Sequence, residues 1–148
     1  MAEKKYKRRV VDQLLAERLE EVGAVLIEGP KWCGKTTTAL QQARSTVMLA
    51  NPEVLQQSKS MIATSASHLL SGLVPRLFDE WQTLPELWDN IRYEVDARNE
   101  EGQFILTGSA VPVESEKIMH TGTGRFAWIT MRPMSLWESG ESTGEISL

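Results

Sequence analysis

Gly29, Gly34, Lys35 and Thr36 stand in the run Gly29-Pro30-Lys31-Trp32-Cys33-Gly34-Lys35-Thr36, which fills every fixed position of the phosphate-binding pattern G-x-x-x-x-G-K-[ST]. Each residue type has a task in holding a polyphosphate. Glycines let the backbone curl around phosphate oxygens with no Cβ in the way. Lys35 can reach the β- and γ-phosphates of a nucleotide, and Thr36 can offer its hydroxyl to Mg²⁺. The nucleotide-contacting set read from this pattern is Gly29, Pro30, Lys31, Trp32, Cys33, Gly34, Lys35, Thr36 and Thr37, with Lys35 also acting in catalysis.

Two further clusters could complete such a site. Asp79-Glu80 follows the apolar pair Leu77-Phe78. Alone, adjacent carboxylates usually mark a solvated turn. Downstream of a phosphate loop, Asp79 reads as the second Mg²⁺ partner beside Thr36, and Glu80 as the base that polarises an attacking water. Thr107-Gly108-Ser109 follows Phe104-Ile105-Leu106. A hydroxyl there can sense the γ-phosphate or orient the water, with Ser109 the first choice and Thr107 the second.

Positioning these groups requires a strand, a loop and a helix in that order. Ala24 to Glu28 is the apolar strand, and Thr36 to Arg44 the helix whose free N-terminal amides and dipole favour phosphate. Before it, Val11, Leu14, Leu15, Leu19 and Val22 have helical spacing over Val10 to Val22. Further strands are expected at Thr46 to Ala50, Arg76 to Asp79, Gln103 to Thr107 and Phe126 to Met131, with two short helices across Pro52 to Leu70. Pro85 opens a helix running to about Asn99, whose core face is Leu84, Leu87, Trp88, Ile91 and Val95. Alternating strands and helices imply an α/β fold, a parallel sheet covered on both faces, with ligands at the C-terminal strand ends.

Size and composition fit this picture. The 148 residues suit one domain, with 41% hydrophobic and 24% charged residues and a net charge of −4. That charge argues against nucleic-acid attraction by the chain as a whole. The basic run Lys4 to Arg9 reads as a solvated helix start. Cys33, the single cysteine, excludes an intrachain disulfide and fits a reducing compartment. It reads as a packing residue rather than a redox switch. No apolar run is long enough to span a membrane, and the charged N-terminus is not followed by a signal-like apolar segment, so a cytoplasmic location is expected. Trp32 and Trp81 read as bordering the nucleotide or a partner, and Trp88, Trp128 and Trp137 as packing. His68 and His120 lack metal-ligand spacing, and Mg²⁺ is the one metal implied.

The ordered set GPKWCGKT, LFDEWQ, FILTGS and GRFAWITMRPMSLWE resembles the AAA+-type ATPase core of a large group of predicted bacterial ATPases, over about Tyr6 to Glu138. The resemblance implies a three-layer P-loop NTPase fold with five parallel strands in the order 5-1-4-3-2. It also implies a core over residues 1–138 and a further C-terminal domain beyond this chain, while the run Ser139-Gly140-Glu141-Ser142-Thr143-Gly144-Glu145 reads as a linker or frayed end over 139–148. Arg125 is similar to the arginine of the AAA Gly-Arg-Phe element, which reaches the γ-phosphate of a neighbouring subunit. Here Gly122 occupies the position of the second arginine in that element.

The expected function is therefore ATP hydrolysis with Mg²⁺, using Lys35, Glu80, Ser109 and Arg125, coupled to conformational work. Its partner would be an unidentified protein or nucleic acid, and copies of the chain could associate through Arg125. The alternative is a nucleotide-dependent interaction module that binds ATP with little or no hydrolysis. A GTP switch is disfavoured because no [NT]-K-x-D tetrapeptide occurs, and a small-molecule kinase because no arginine-rich cluster is visible. Tyr6, Val10 and Val11 are the candidates for the adenine pocket.

Overall fold

A computed structural model describes residues 10–30, 33–109 and 125–131. Lys31, Trp32, the Lys4 to Arg9 run with Tyr6, His120, Gly122, Arg132 to Glu138 with Trp137, and the 139–148 tail lie outside the described residues. The elements in chain order are α1 (Val10–Leu19), β1 (Ala24–Glu28), α2 (Lys35–Leu40), β2 (Ser45–Met48), α3 (Pro52–Thr64), α4 (Ala66–Leu70), β3 (Arg76–Asp79), a 3₁₀ turn (Trp81–Thr83), α5 (Glu86–Arg98), β4 (Phe104–Gly108) and β5 (Phe126–Thr130).

The strands form one five-stranded sheet in the order β2-β3-β4-β1-β5. Every neighbouring pair is parallel, with Ala24 opposite both Phe104 and Phe126, and Arg76 opposite both Ser45 and Phe104. Read from the other edge this is 5-1-4-3-2, the expected order. β1 and β4 lie inside the sheet, and every residue of β4 is buried. That explains their unbroken apolar runs, since a strand covered on both faces has no side for polar residues.

Alternation along the strands sorts the core into two layers. Ala24, Leu26, Phe78, Phe104 and Leu106 pack with Leu69 and Leu70 of α4 and Leu87, Trp88, Ile91 and Val95 of α5. Val25, Ile27, Leu77 and Ile105 pack on the other face with Leu15 and Leu19 of α1 and Ala39 of α2. The expected core face of α5 is buried throughout, Leu84 included.

Several boundaries differ from expectation: β2 runs Ser45–Met48 rather than Thr46 to Ala50, β4 Phe104–Gly108 rather than Gln103 to Thr107, and β5 ends at Thr130 rather than Met131. α1 ends at Leu19 rather than Val22, because Glu20 and Glu21 close tighter turns on Glu17 and Arg18 before the chain enters β1. α2 ends at Leu40 rather than Arg44, because Gln41 and Gln42 tighten onto Thr38 and Ala39 while the Arg44 amide already donates to the Pro75 carbonyl beside β3. The two helices expected across Pro52 to Leu70 are present, one of 13 residues and one of 5. Asn51 starts α3 by accepting from the Glu53 and Val54 amides at 2.9 and 3.4 Å, and Pro52 suits its first turn. Val54, Leu55, Met61 and Ile62 then give it an apolar stripe that packs on the core.

Candidate functional site

The segment between β1 and α2 crosses the C-terminal end of the sheet, and local sterics explain its glycines. A Cβ on Gly29 would sit 2.6 Å from the Met131 carbonyl oxygen and 2.9 Å from Cys33 Sγ, too close for any side chain. The Gly29 amide is tied to the Gly108 carbonyl at the end of β4. Gly34 has φ 93°, in the left-handed region that glycine enters without strain. Its carbonyl accepts from Thr38, so the amides at the start of α2 have no intrahelical acceptor. Cys33 is buried and belongs to the α1/α2 core layer, as its packing reading expects.

Lys35 is 4% exposed, and its Nζ donates to the Pro30 carbonyl at 3.1 Å across the loop. Among the described residues that carbonyl is its hydrogen-bond acceptor, and a buried ammonium so held favours an anion. Thr36 Oγ1 donates to Asp79 Oδ1 at 2.7 Å, and Thr107 Oγ1 donates to the same oxygen at 2.7 Å. Thr107 is fully buried, and its hydroxyl also accepts from the Glu80 amide at 3.1 Å. Thr107 thus ties together the two acidic residues.

Glu80 adopts φ 61° and ψ 52°, an uncommon conformation for a residue with a side chain. The chain reverses there into the 3₁₀ turn, and the Glu80 carboxylate meets Ser109 Oγ, 2.9 Å from each of its oxygens. Gln82 Nε2 donates to Glu80 Oε1 at 2.7 Å. Lys35, Thr36, Thr37, Asp79, Glu80 and Gln82, with Ala50 and Thr83 beyond them, line a cavity of about 640 Å³.

The donor set suits Mg²⁺. A Thr36 hydroxyl that gives its proton to Asp79 keeps oxygen lone pairs for a hard cation, and the oxygens of Asp79 and Thr36 are the ligand type Mg²⁺ takes. Among the described residues no three His, Cys, Asp or Glu side chains group to hold an ion.

Some expected neighbours lie elsewhere. Trp81, expected at the nucleotide or a partner surface, is instead 4% exposed and packs 6.2 Å from Trp88 in the core. The reversal at Glu80 turns its side chain inward. Trp128 packs against the same layer, and its indole N–H donates to Glu28, which also accepts from Thr130 Oγ1 at 3.1 Å. Glu28 therefore ties β5 to the residue before the loop, a role no local pattern signals. Val10 is exposed and Val11 packs on the α1/α2 core layer. Arg125 precedes β5, at the opposite end of the sheet from the loop. A five-residue strand of roughly 3.3 Å per residue separates the two ends. Its guanidinium donates to Asn99 Oδ1 at 2.9 Å and lies 3.5 Å from Asp96 Oδ1.

Gly108 and Gln82 were also missed as site residues. A Cβ on Gly108 would sit 3.0 Å from Gln82 Oε1 and 3.2 Å from Trp81 Nε1, so this glycine makes room for the turn that carries Glu80.

A parallel sheet of this order, a glycine loop leading into a helix, and an acidic pair on the adjacent strand end define an α/β P-loop nucleotide-binding domain. The chain belongs to the AAA domain family, whose model matches residues 21–139. It is also similar to two proteins described as uncharacterized, one from Mycobacterium bovis and one from Mycobacterium tuberculosis. Each is 28% identical over 143 residues, covering 93% of this chain and 31% of the relative. The chain thus spans about a third of the length of these relatives. Among the described residues no helix is long and apolar enough to cross a membrane.

Proposed function

We propose that this domain binds Mg-ATP and hydrolyses it, and that the hydrolysis drives a conformational change in a partner or in a further domain of a longer protein. The observation that carries this reading is the convergence of Lys35 and Thr36 from the start of α2 with Asp79 and Glu80 from the end of β3 on one cavity wall, with Ser109 after β4 bonded to Glu80. A site for binding alone would need the lysine and the loop. It would not need a second carboxylate oriented by its own hydroxyl partner.

In this reading Lys35 and the first amides of α2 hold the β- and γ-phosphates, and Thr36 and Asp79 hold Mg²⁺. The metal, when bound, neutralises phosphate charge. Glu80 takes a proton from the attacking water, whose oxygen bonds to the γ-phosphorus as the bond to ADP breaks. Ser109 sits where its one hydrogen can serve either Glu80 or the γ-phosphate.

Glu80→Gln is the discriminating substitution because it keeps shape and removes the base. ATP affinity measured by calorimetry should stay within about threefold, while single-turnover hydrolysis falls by a factor on the order of a hundred or more. Wild-type turnover in Glu80→Gln would remove the base assignment. A wild type that binds ATP without measurable hydrolysis would favour the interaction module instead.

A further inference from the structure

Gln82 belongs to no phosphate-loop element, yet its side chain is committed to the proposed base. Its Nε2 lies 2.7 Å from Glu80 Oε1, at the short end for a neutral donor on a carboxylate. Among the described residues its own Oε1 is buried with no hydrogen-bond partner. An unpaired buried carbonyl oxygen is unfavourable. Reversing the amide would not help, because it would set that oxygen against the Glu80 carboxylate. The arrangement is supported from behind by Gly108, where any Cβ would approach Gln82 Oε1 to 3.0 Å. The fold therefore leaves one polar atom unsatisfied in order to aim one N–H at Glu80.

Ser109 cannot do this work alone. Its hydroxyl is 2.9 Å from both Glu80 oxygens but carries one hydrogen. When that hydrogen turns to a phosphate oxygen, Glu80 loses its Ser109 bond. The Gln82 bond is independent of phosphate, since it comes from the 3₁₀ turn rather than from β4. Building on the hydrolysis reading, we infer that Gln82 is a positioning residue that clamps Glu80 Oε1, so that Oε2 stays directed at the attacking water whether or not Ser109 has turned to the phosphate. Gln82 itself transfers no proton. The water proton goes to Glu80 as the oxygen–phosphorus bond forms and the bond to ADP breaks.

The test compares Gln82→Met, which keeps volume and removes the donor, with Gln82→Ala. Both should lower single-turnover hydrolysis about tenfold and leave Mg-ATP affinity within about twofold. In a Glu80→Gln background neither should cause further loss, since the clamp then has no base to hold. Wild-type turnover in Gln82→Met, or an equal loss on top of Glu80→Gln, overturns the inference. A readout independent of turnover separates this from failure of the hydrolysis reading. The Gln82 side-chain amide signals in a ¹⁵N spectrum, identified by their disappearance in Gln82→Met, should shift in Glu80→Ala. If they do not, the clamp itself is absent. Full activity in Glu80→Gln would instead overturn the base assignment and, with it, the positioning role.

Discussion

At the N-terminal end of the sheet Arg98 donates to Glu94 at 2.8 Å, to Gln103 at 2.8 Å and to the Leu70 carbonyl at 3.3 Å, and it lies 4.9 Å over the Phe104 ring. Arg76 beside it donates to the Leu69 carbonyl and to Ser45 Oγ, and burial pulls its guanidinium below the ordinary arginine value. At the C-terminal end Lys35 is as deeply buried as a core residue and has the Pro30 carbonyl as its acceptor. Asp79 and Glu80 stand near it but take their hydrogen bonds from Thr36, Thr107, Ser109 and Gln82. Cations at one end are closed by the protein's own acceptors. At the other, hydroxyls and an amide keep the carboxylates oriented without neutralising the lysine. Charge left uncompensated among the described residues in this way marks where a charged ligand belongs.

This contrast is sharpest at Lys35. Lys35→Ala removes the loop's buried cation, so Mg-ATP affinity measured by calorimetry should fall at least tenfold, equivalent to about 1.4 kcal/mol or more. Without nucleotide the variant should be no less stable than the parent in urea unfolding, since the native cation is poorly compensated. Unchanged affinity would place phosphate binding elsewhere.

Arg98→Ala is the matching test at the closed end. It removes a half-buried ion pair and a ring contact, so stability should fall by about 1–2 kcal/mol in urea unfolding. Mg-ATP affinity should stay within about twofold, because Arg98 lies behind β4 and away from the cavity. A loss of affinity without loss of stability would show that the two ends are coupled, and the comparison would fail.

Sequence reasoning located the strands and the loop because their determinants are local. Ala24 to Glu28 and Arg76 to Asp79 have the expected limits, and α5 buries the expected face. Strand order was legible through family resemblance alone, since no local pattern says that β4 separates β1 from β3. The candidate site was legible where a residue stands at the end of its own strand, as with Asp79, Glu80 and Ser109. It was not legible where the backbone leaves the regular periods. The left-handed turn at Glu80 brings residue 82 back onto residue 80, a contact that neither helix nor strand spacing predicts, and it buries Trp81 in the same movement. The Thr107 role was hidden for a different reason. Its hydroxyl points sideways across the sheet to β3, and which strand lies alongside is a tertiary fact.

The smallest effect within a single chain is expected at Arg125, which belongs by position to the closed end but is less firmly held there. Its guanidinium bonds Asn99 and lies near Asp96, and both ion-pair side chains are well exposed, at 38% and 61%. An exposed pair of this kind contributes at most about 1 kcal/mol. Arg125→Ala should therefore change urea stability by less than that and leave Mg-ATP affinity intact in dilute solution. The weak hold also means that the arginine could leave Asp96 at little cost. If copies associate head to tail, the closed end of one would face the open end of the next, a heterologous contact that forms a ring or a filament. Arg125 would then bring a further cation to the neighbour's cavity, stabilising transition-state charge more than bound ATP. Specific activity of the wild type should rise with protein concentration, and Arg125→Ala should abolish that rise. Mixing Arg125→Ala with Glu80→Gln should restore part of it, because the first keeps the base and the second lends the arginine. Activity independent of concentration, with no rescue on mixing in the longer protein, would leave Arg125 as a surface partner of Asp96 and confine the charge contrast to one chain.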